Sequence, residues 1–315
     1  MDPAIVIFGF GIGAMVGMTG MGGGTLMTPL LILLFGIKPV TAIGTDIFYA
    51  AVTKTVGGWR HLKMGTVNKP LAFWMAAGSV PAAVIGVWAI SILQSKIGEE
   101  ELDSIVYALL GGTLLMVGII TLARALILSK LVEERDDFVL QRRHKIAAVT
   151  IGATTGFVIG ITSAGSGTVI AILLIAVFRL TPVKVVGTDV FHAAILLWAA
   201  GIAHWVGGNV DFVLAGNILL GSIPGVIVGS HYAARAPTGF LRTALGVVLV
   251  ASGIVTVQKG DPLVWPIAAA VAGIGLGLLI WFPRWWNERR LKREAEEALR
   301  QGSDRSDDLT PDAIG

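Results

Sequence analysis

Two matching stretches carry an aspartate into otherwise apolar sequence: GTDIFYAA at 44–51 and GTDVFHAA at 187–194. Asp46 and Asp189 hold the same place in each, directly behind Thr45 and Thr188. A carboxylate inside an apolar span is costly to bury and is a functional candidate on that ground. It would carry a coupling proton or, with the neighbouring threonine hydroxyls, help to hold Na⁺. A helix cap is the alternative, because an aspartate at a helix start accepts backbone N–H bonds. Lys54 follows Asp46 on the same face, about two helical turns on. It can neutralise Asp46, attract an anion, or snorkel to the membrane surface. His192 stands where the first stretch has Tyr49, while His61 and His204 sit near the ends of their apolar segments.

A second kind of chemistry lies in the glycine-rich stretches MTGMGGGT (18–25) and ITSAGSGT (161–168). The apolar segment after the first, 26–37, is too short to cross a bilayer comfortably and reads as a half-helix. Irregular backbone at membrane depth is tolerated only where protein or a water-filled cavity surrounds it. A helix restarting near Thr25 would aim its unpaired N–H groups and positive dipole end at the break, a site for an anion. Gly22, Gly23, Gly24 and Thr25 in the first copy and Ser163, Gly165, Ser166, Gly167 and Thr168 in the second are therefore candidate substrate ligands. The competing reading is close helix packing, which suits Gly9, Gly13, Gly17, Gly156 and Gly160 at four-residue spacing.

These residues recur because the chain is a duplication. A shift of 143 residues superimposes, without a gap, Pro39 on Pro182, Asp46 on Asp189, His61 on His204, Ser79 on Ser222 and Gly86 on Gly229. Of 315 residues 54% are hydrophobic and 14% charged, and mean hydropathy is +0.78, a membrane composition. Apolar runs at 71–93, 104–128, 212–234, 239–257 and 263–282 are long enough to cross a hydrocarbon core. The net charge of +3 resides in loops and the tail, which fits orientation in a membrane better than nucleic-acid binding.

Lysine and arginine place the central loop and the tail in the cytoplasm and the N-terminus outside, and they put matching loops of the two copies on opposite faces. The expected fold is thus an all-α polytopic membrane protein of two inverted-topology repeats with broken, re-entrant helices, plus one extra C-terminal transmembrane helix. Its expected divisions are a first repeat over 1–128, a cytoplasmic linker over 129–145, a second repeat over 146–257, the added helix over 258–283, and a partly disordered cytoplasmic tail over 284–315. No cysteine is present, so disulfide and thiolate chemistry are excluded. No nucleotide fingerprint or metal-ligand spacing occurs, so no cofactor or metal is expected.

GMGGGTLMTPLLILLFGIKPVTAIGTD, followed by GSGTVIAILLIAVFRLTPVKVVGTD, resembles the TauE/SafE family of sulfite exporters over about residues 4–257. The resemblance implies a permease, not an enzyme, for sulfite or an organosulfonate such as sulfoacetate. With the residues above, it gives a secondary exporter at the cell membrane that alternates access around a midplane site. The glycine-rich breaks would hold the anion. Asp46, Asp189, Thr45, Thr188, Lys54 and His192 would serve a coupling proton or Na⁺, or a gate. The lipid bilayer is the expected surrounding, with a homodimer as a possible assembly. The family often has a small polar residue where this chain has Asp46 and Asp189, so an anion would need a cation bound alongside. A different class, an intramembrane serine hydrolase with Ser166 as nucleophile and His192 or His204 as base, is the alternative.

Overall fold

Apolar segments find no water in a bilayer, so a helix that closes its hydrogen bonds internally is the stable form for each. The computed structural model describes residues 2–19, 24–126, 140–165, 167–233, 238–281 and 288, and among them helices are the regular structure. The first copy supplies α1 (Pro3–Thr19), α2 (Gly24–Phe35), α3 (Pro39–Lys63), α4 (Lys69–Lys96) and α5 (Glu99–Leu126). The second supplies α6 (Arg142–Thr162), α7 (Thr168–Phe178), α8 (Pro182–Val206), α9 (Phe212–Ala233) and α10 (Thr238–Lys259). The last five residues of α7 wind as a π-helix. A further apolar helix, α11, covers Pro262–Trp281. The chain is thus an all-α protein with six described helices long and apolar enough to cross a membrane. Residues 1–276 form one compact unit. A second unit begins at Gly277, and its described residues, 277–281 and 288, are helical.

The boundaries follow local chemistry. Prolines at Pro39, Pro70 and Pro182 start α3, α4 and α8, where a missing N–H costs nothing. Asn68 caps α4 by accepting from Leu71 N at 3.1 Å, and its counterpart Asp211 accepts from Leu214 N at 2.9 Å at the start of α9. α6 begins at Arg142, so its first turn lies within the stretch read from sequence as linker. The rest of that stretch up to residue 139, and the tail beyond 281 apart from residue 288, lie outside the described residues.

α1 and α2 fold back on one another. Phe8 and Phe35 lie with ring centroids 5.0 Å apart, whereas one straight helix would separate them by roughly 40 Å. In the second copy His144 and Phe178 stand 6.3 Å apart in the same way. Each copy therefore opens with a short helical hairpin, followed by three longer helices.

The packing of the copies exchanges partners. α1 packs along α9 and, reciprocally, α4 packs along α6, while α3 pairs with α8 and α5 with α10. Glycine makes both exchanged contacts possible. Gly9, Gly13 and Gly17 lie against the backbone of Ile218, Ser222 and Val226; Gly152, Gly156 and Gly160 lie against Met75, Ser79 and Ala83. These are the same six contacts displaced by 143 residues. Reciprocal exchange of this kind is what a two-fold relation between repeats produces. Lipid tails are as apolar as the side chains, so close backbone approach replaces the hydrophobic effect as the source of helix association.

The α3–α8 contact lies at the centre of that symmetry and runs antiparallel. Gly58 packs on Phe191, Gly201 on Phe48, and Trp198 donates from Nε1 to Thr55 Oγ1 at 2.8 Å. Thr55 and Trp198 are counterparts, so here a position touches its own repeat mate.

The seams give a direct prediction. A Cβ at Gly156 would meet the Ser79 backbone and one at Gly13 the Ser222 backbone, whereas Gly11 and Gly216 have open space. Gly13→Val and Gly156→Val are expected to cost about 1–3 kcal/mol each through overpacking and to lower the melting temperature in detergent. Gly11→Ala and Gly216→Ala are expected to leave it unchanged.

Candidate functional site

Each residue of the duplicated Gly-Thr-Asp motif has a separate task. Gly44 lets the Asn209 carbonyl approach, and Gly187 does the same for Thr66, its symmetric counterpart. Thr45 Oγ1 accepts from Asp211 N at 3.0 Å, and Thr188 Oγ1 accepts from Asn68 N at 2.9 Å. Each threonine thus ties its helix to the turn that follows the other repeat's central helix. Spacing alone grouped Thr45 and Thr188 with the carboxylates; the fold engages their hydroxyl oxygens with these backbone amides.

Neither aspartate is a helix cap, which corrects that sequence expectation. α3 starts at Pro39 after Lys38, and α8 at Pro182 after Thr181, so Asp46 and Asp189 sit about two turns inside their helices. The apolar run of each motif looked like a helix start because the preceding turns, KPVTAI and TPVKVV, are short and mixed in character.

Asp46 is fully buried. Its Oδ2 accepts from Thr28 Oγ1 at 2.5 Å and from Ser163 Oγ at 2.8 Å. Thr28 lies early in α2, and Ser163 is the residue that ends α6, so one carboxylate joins the hairpins of both repeats. Hydrogen bonds to an ionised acceptor are shorter and about twice as strong as neutral ones, which suits a carboxylate with no access to water. Asp46 Oδ1 has no hydrogen-bond partner among the described residues. The second copy lacks this clasp: Thr28 corresponds to Ala171 and Ser163 to Gly20. Asp189, also buried, keeps an Oδ1 without a partner.

Lys54 is 7% exposed, and its Nζ makes no hydrogen bond among the described residues. Of the three roles open to it from sequence, snorkelling to the surface is removed by this burial. His192 is fully buried with Nε2 2.8 Å from Ser79 Oγ. Its counterpart Tyr49 meets Ser222, the counterpart of Ser79. His204 donates from Nε2 to the Gly160 carbonyl at 2.9 Å, a tie between α8 and α6.

The hairpin tip of the second copy is built from unusual backbone. Ser163 adopts φ 58°, and Gly165 and Gly167 adopt φ 102° and 103°, values open to glycine and strained for other residues. α7 then restarts at Thr168, with Ala171 N bonded to Gly167 O at 2.9 Å. Gly24 and Thr25 open α2 in the same role, and Thr25 and Thr168 are both buried. Gly22, Gly23 and Ser166 lie outside the described residues. Sequence reasoning passed over Thr28 and Ser79, although a threonine in the first turns of an apolar half-helix and a repeated buried serine were signals that could have found them. Among the described residues, no three His, Cys, Asp or Glu side chains come together as a metal site.

The chain matches the model of a family described as sulfite exporter TauE/SafE over residues 5–256. It is 37% identical over 254 residues to a Bacillus subtilis protein named "Probable membrane transporter protein YjnA", covering 81% of this chain and 99% of that one. A second B. subtilis relative, "Probable membrane transporter protein YdhB", is 25% identical over 250 residues, covering 79% of this chain and 98% of the relative. A Xylella fastidiosa protein, again named a membrane transporter, is 28% identical over 266 residues, with 82% and 97% covered. No solved structure matches the chain. The family match takes in both hairpins and the long helices α3, α4, α5, α8 and α9, and on that footing the chain belongs to the TauE/SafE family of membrane transporters.

Proposed function

We propose that the chain is a secondary carrier that exports a small sulfur oxyanion or sulfonate, such as sulfite or sulfoacetate, coupled to a proton or Na⁺. The observation that carries this reading is the carboxylate of Asp46 joining the broken hairpins of both repeats. In a carrier built from two repeats, alternating access is a movement of one repeat's elements against the other around a fixed site. A buried carboxylate that spans the moving parts ties its own charge state to that movement. Loss of its charge on binding a proton, or its neutralisation by Na⁺, weakens the two charge-assisted bonds and frees the hairpins to separate.

The anion is placed at the starts of α2 and α7, where a helix N-terminus carries a positive dipole end. Gly24, Thr25, Gly165, Gly167 and Thr168 supply that backbone, together with Gly22, Gly23 and Ser166. Ser163 links this region to Asp46, so anion and cation occupy neighbouring places and each lowers the cost of burying the other. Asp189, Lys54 and His192 complete the polar interior on α3 and α8. The membrane setting has the N-terminus outside and the tail in the cytoplasm, with a homodimer as the assembly to test.

Two predictions follow from this reading. Purified protein in liposomes loaded with sulfite or sulfoacetate is expected to release it faster than protein-free liposomes. An imposed pH or Na⁺ gradient is expected to change the initial rate, and no flux of any sulfur anion would overturn the assignment. Removal of the donors to Asp46 by Thr28→Val or Ser163→Ala is expected to cost about 1.5–3 kcal/mol each, measured as reduced stability in detergent. The same variants are expected to slow transport and to shift its dependence on the coupling ion, whereas unchanged coupling would separate Asp46 from the transport step.

A further inference from the structure

The two repeats agree closely in what they bury, with one conspicuous exception in charge. Asp46 and Asp189 are duplicated, and both are buried. Lys54 is not duplicated: its counterpart is Leu197, itself buried in the core. Two buried aspartates thus stand with one buried lysine.

The position of that ammonium is set by symmetry. Thr55 touches its own repeat mate Trp198, and a residue can meet its mate only close to the axis that relates the copies. Lys54 is the neighbour of Thr55 on α3. The reciprocal contacts Gly58–Phe191 and Gly201–Phe48 place the same crossing between them. Asp46 and Asp189 precede Thr55 and Trp198 by the same nine residues on antiparallel helices, so they lie on opposite sides of the crossing, about 13 Å along each helix. The Nζ of Lys54 is fixed by no hydrogen bond among the described residues, and its stem is a flexible four-carbon chain.

The groups around it are equally telling. α8 contributes His192, held through Nε2 by Ser79 of α4; α3 contributes Tyr49, opposite Ser222 of α9; α2 and α6 contribute only the hydroxyls of Thr28 and Ser163. Among the described residues, Lys54 is the one lysine or arginine that is buried.

We propose that Lys54 is a shared internal counter-ion, a single ammonium near the pseudo-two-fold axis that neutralises Asp46 and Asp189 in turn as the repeats exchange roles. The exchange rests on the carrier reading, but the sharing itself does not. With both carboxylates ionised, the ammonium leaves one negative charge unmatched in a dry interior, where an unpaired charge is expensive. The carboxylate that Lys54 is not facing is then the one that accepts the coupling cation. One side chain thereby links the two carboxylates, so that they cannot both be empty and unpaired.

A double-mutant cycle tests the sharing without any substrate. Lys54→Met, Asp46→Asn, Asp189→Asn and the two Lys54→Met/Asp→Asn pairs are compared by melting temperature of the purified full chain in detergent, with Lys54→Arg as the charge-retaining control. Lys54→Met is expected to lower the melting temperature by several degrees, and Lys54→Arg to restore most of the loss. Asn at position 46 and Asn at position 189 are each expected to recover at least half of the Lys54→Met loss, beyond any effect they have alone. Where Lys54→Met yields no folded protein, recovery is read as the return of a monodisperse peak on gel filtration. Recovery by only one of the two asparagines would make Lys54 the partner of that aspartate alone, and recovery by neither would remove it as a counter-ion; either result overturns the proposal. Because no sulfur anion enters the measurement, a failure of sulfite transport would leave this outcome unaffected, and the reverse also holds.

Discussion

Asp46 accepts hydrogen bonds from the hairpins of both repeats while it is fully removed from solvent, and much of the structure is arranged around making that possible. An ionised carboxylate in a low-dielectric interior is stable only when donors and a counter-charge surround it. Thr28 and Ser163 supply the donors, each from a different element. Both donors stand next to the ends of their hairpin helices, Thr28 in the first turns of α2 and Ser163 directly after α6.

The scaffold that holds this arrangement is made mostly of glycine contacts. α1 on α9 and α4 on α6 approach closely enough for backbone to touch backbone, and the contacts recur at the same spacing in both copies. Such seams are stiff in the direction of approach and present no bulky knobs along their length. Between these seams, α3 and α8 carry buried polar groups, and Asp46 Oδ1, Lys54 Nζ and Asp189 Oδ1 have no hydrogen-bond partner among the described residues. The threonines of the repeated motif pin the starts of α3 and α8 to turns of the opposite copy.

Departures from symmetry concentrate at the interior. Tyr49 and His192 are counterparts with different chemistry, the donors to Asp46, Thr28 and Ser163, correspond to Ala171 and Gly20, and Lys54 corresponds to Leu197. The outer seams keep their glycines in both copies because the geometric demand is the same on each side.

Much of this was legible in the sequence. The duplication, the apolar spans, the broken helices and the packing glycines all follow from local composition and from a repeat that any register shift exposes, because helix formation in a membrane depends on each segment satisfying its own backbone. Asp46, Asp189, Lys54 and His192 stood out for the same local reason, as charge or polarity in apolar surroundings. The tertiary structure decided what those residues touch. Thr28 became a donor to Asp46, Thr45 and Thr188 became ties to the opposite repeat, and the aspartates moved from helix starts to helix interiors. Those outcomes depend on which helix lies beside which, and partners more than a hundred residues apart leave no trace in the periodicity of either segment.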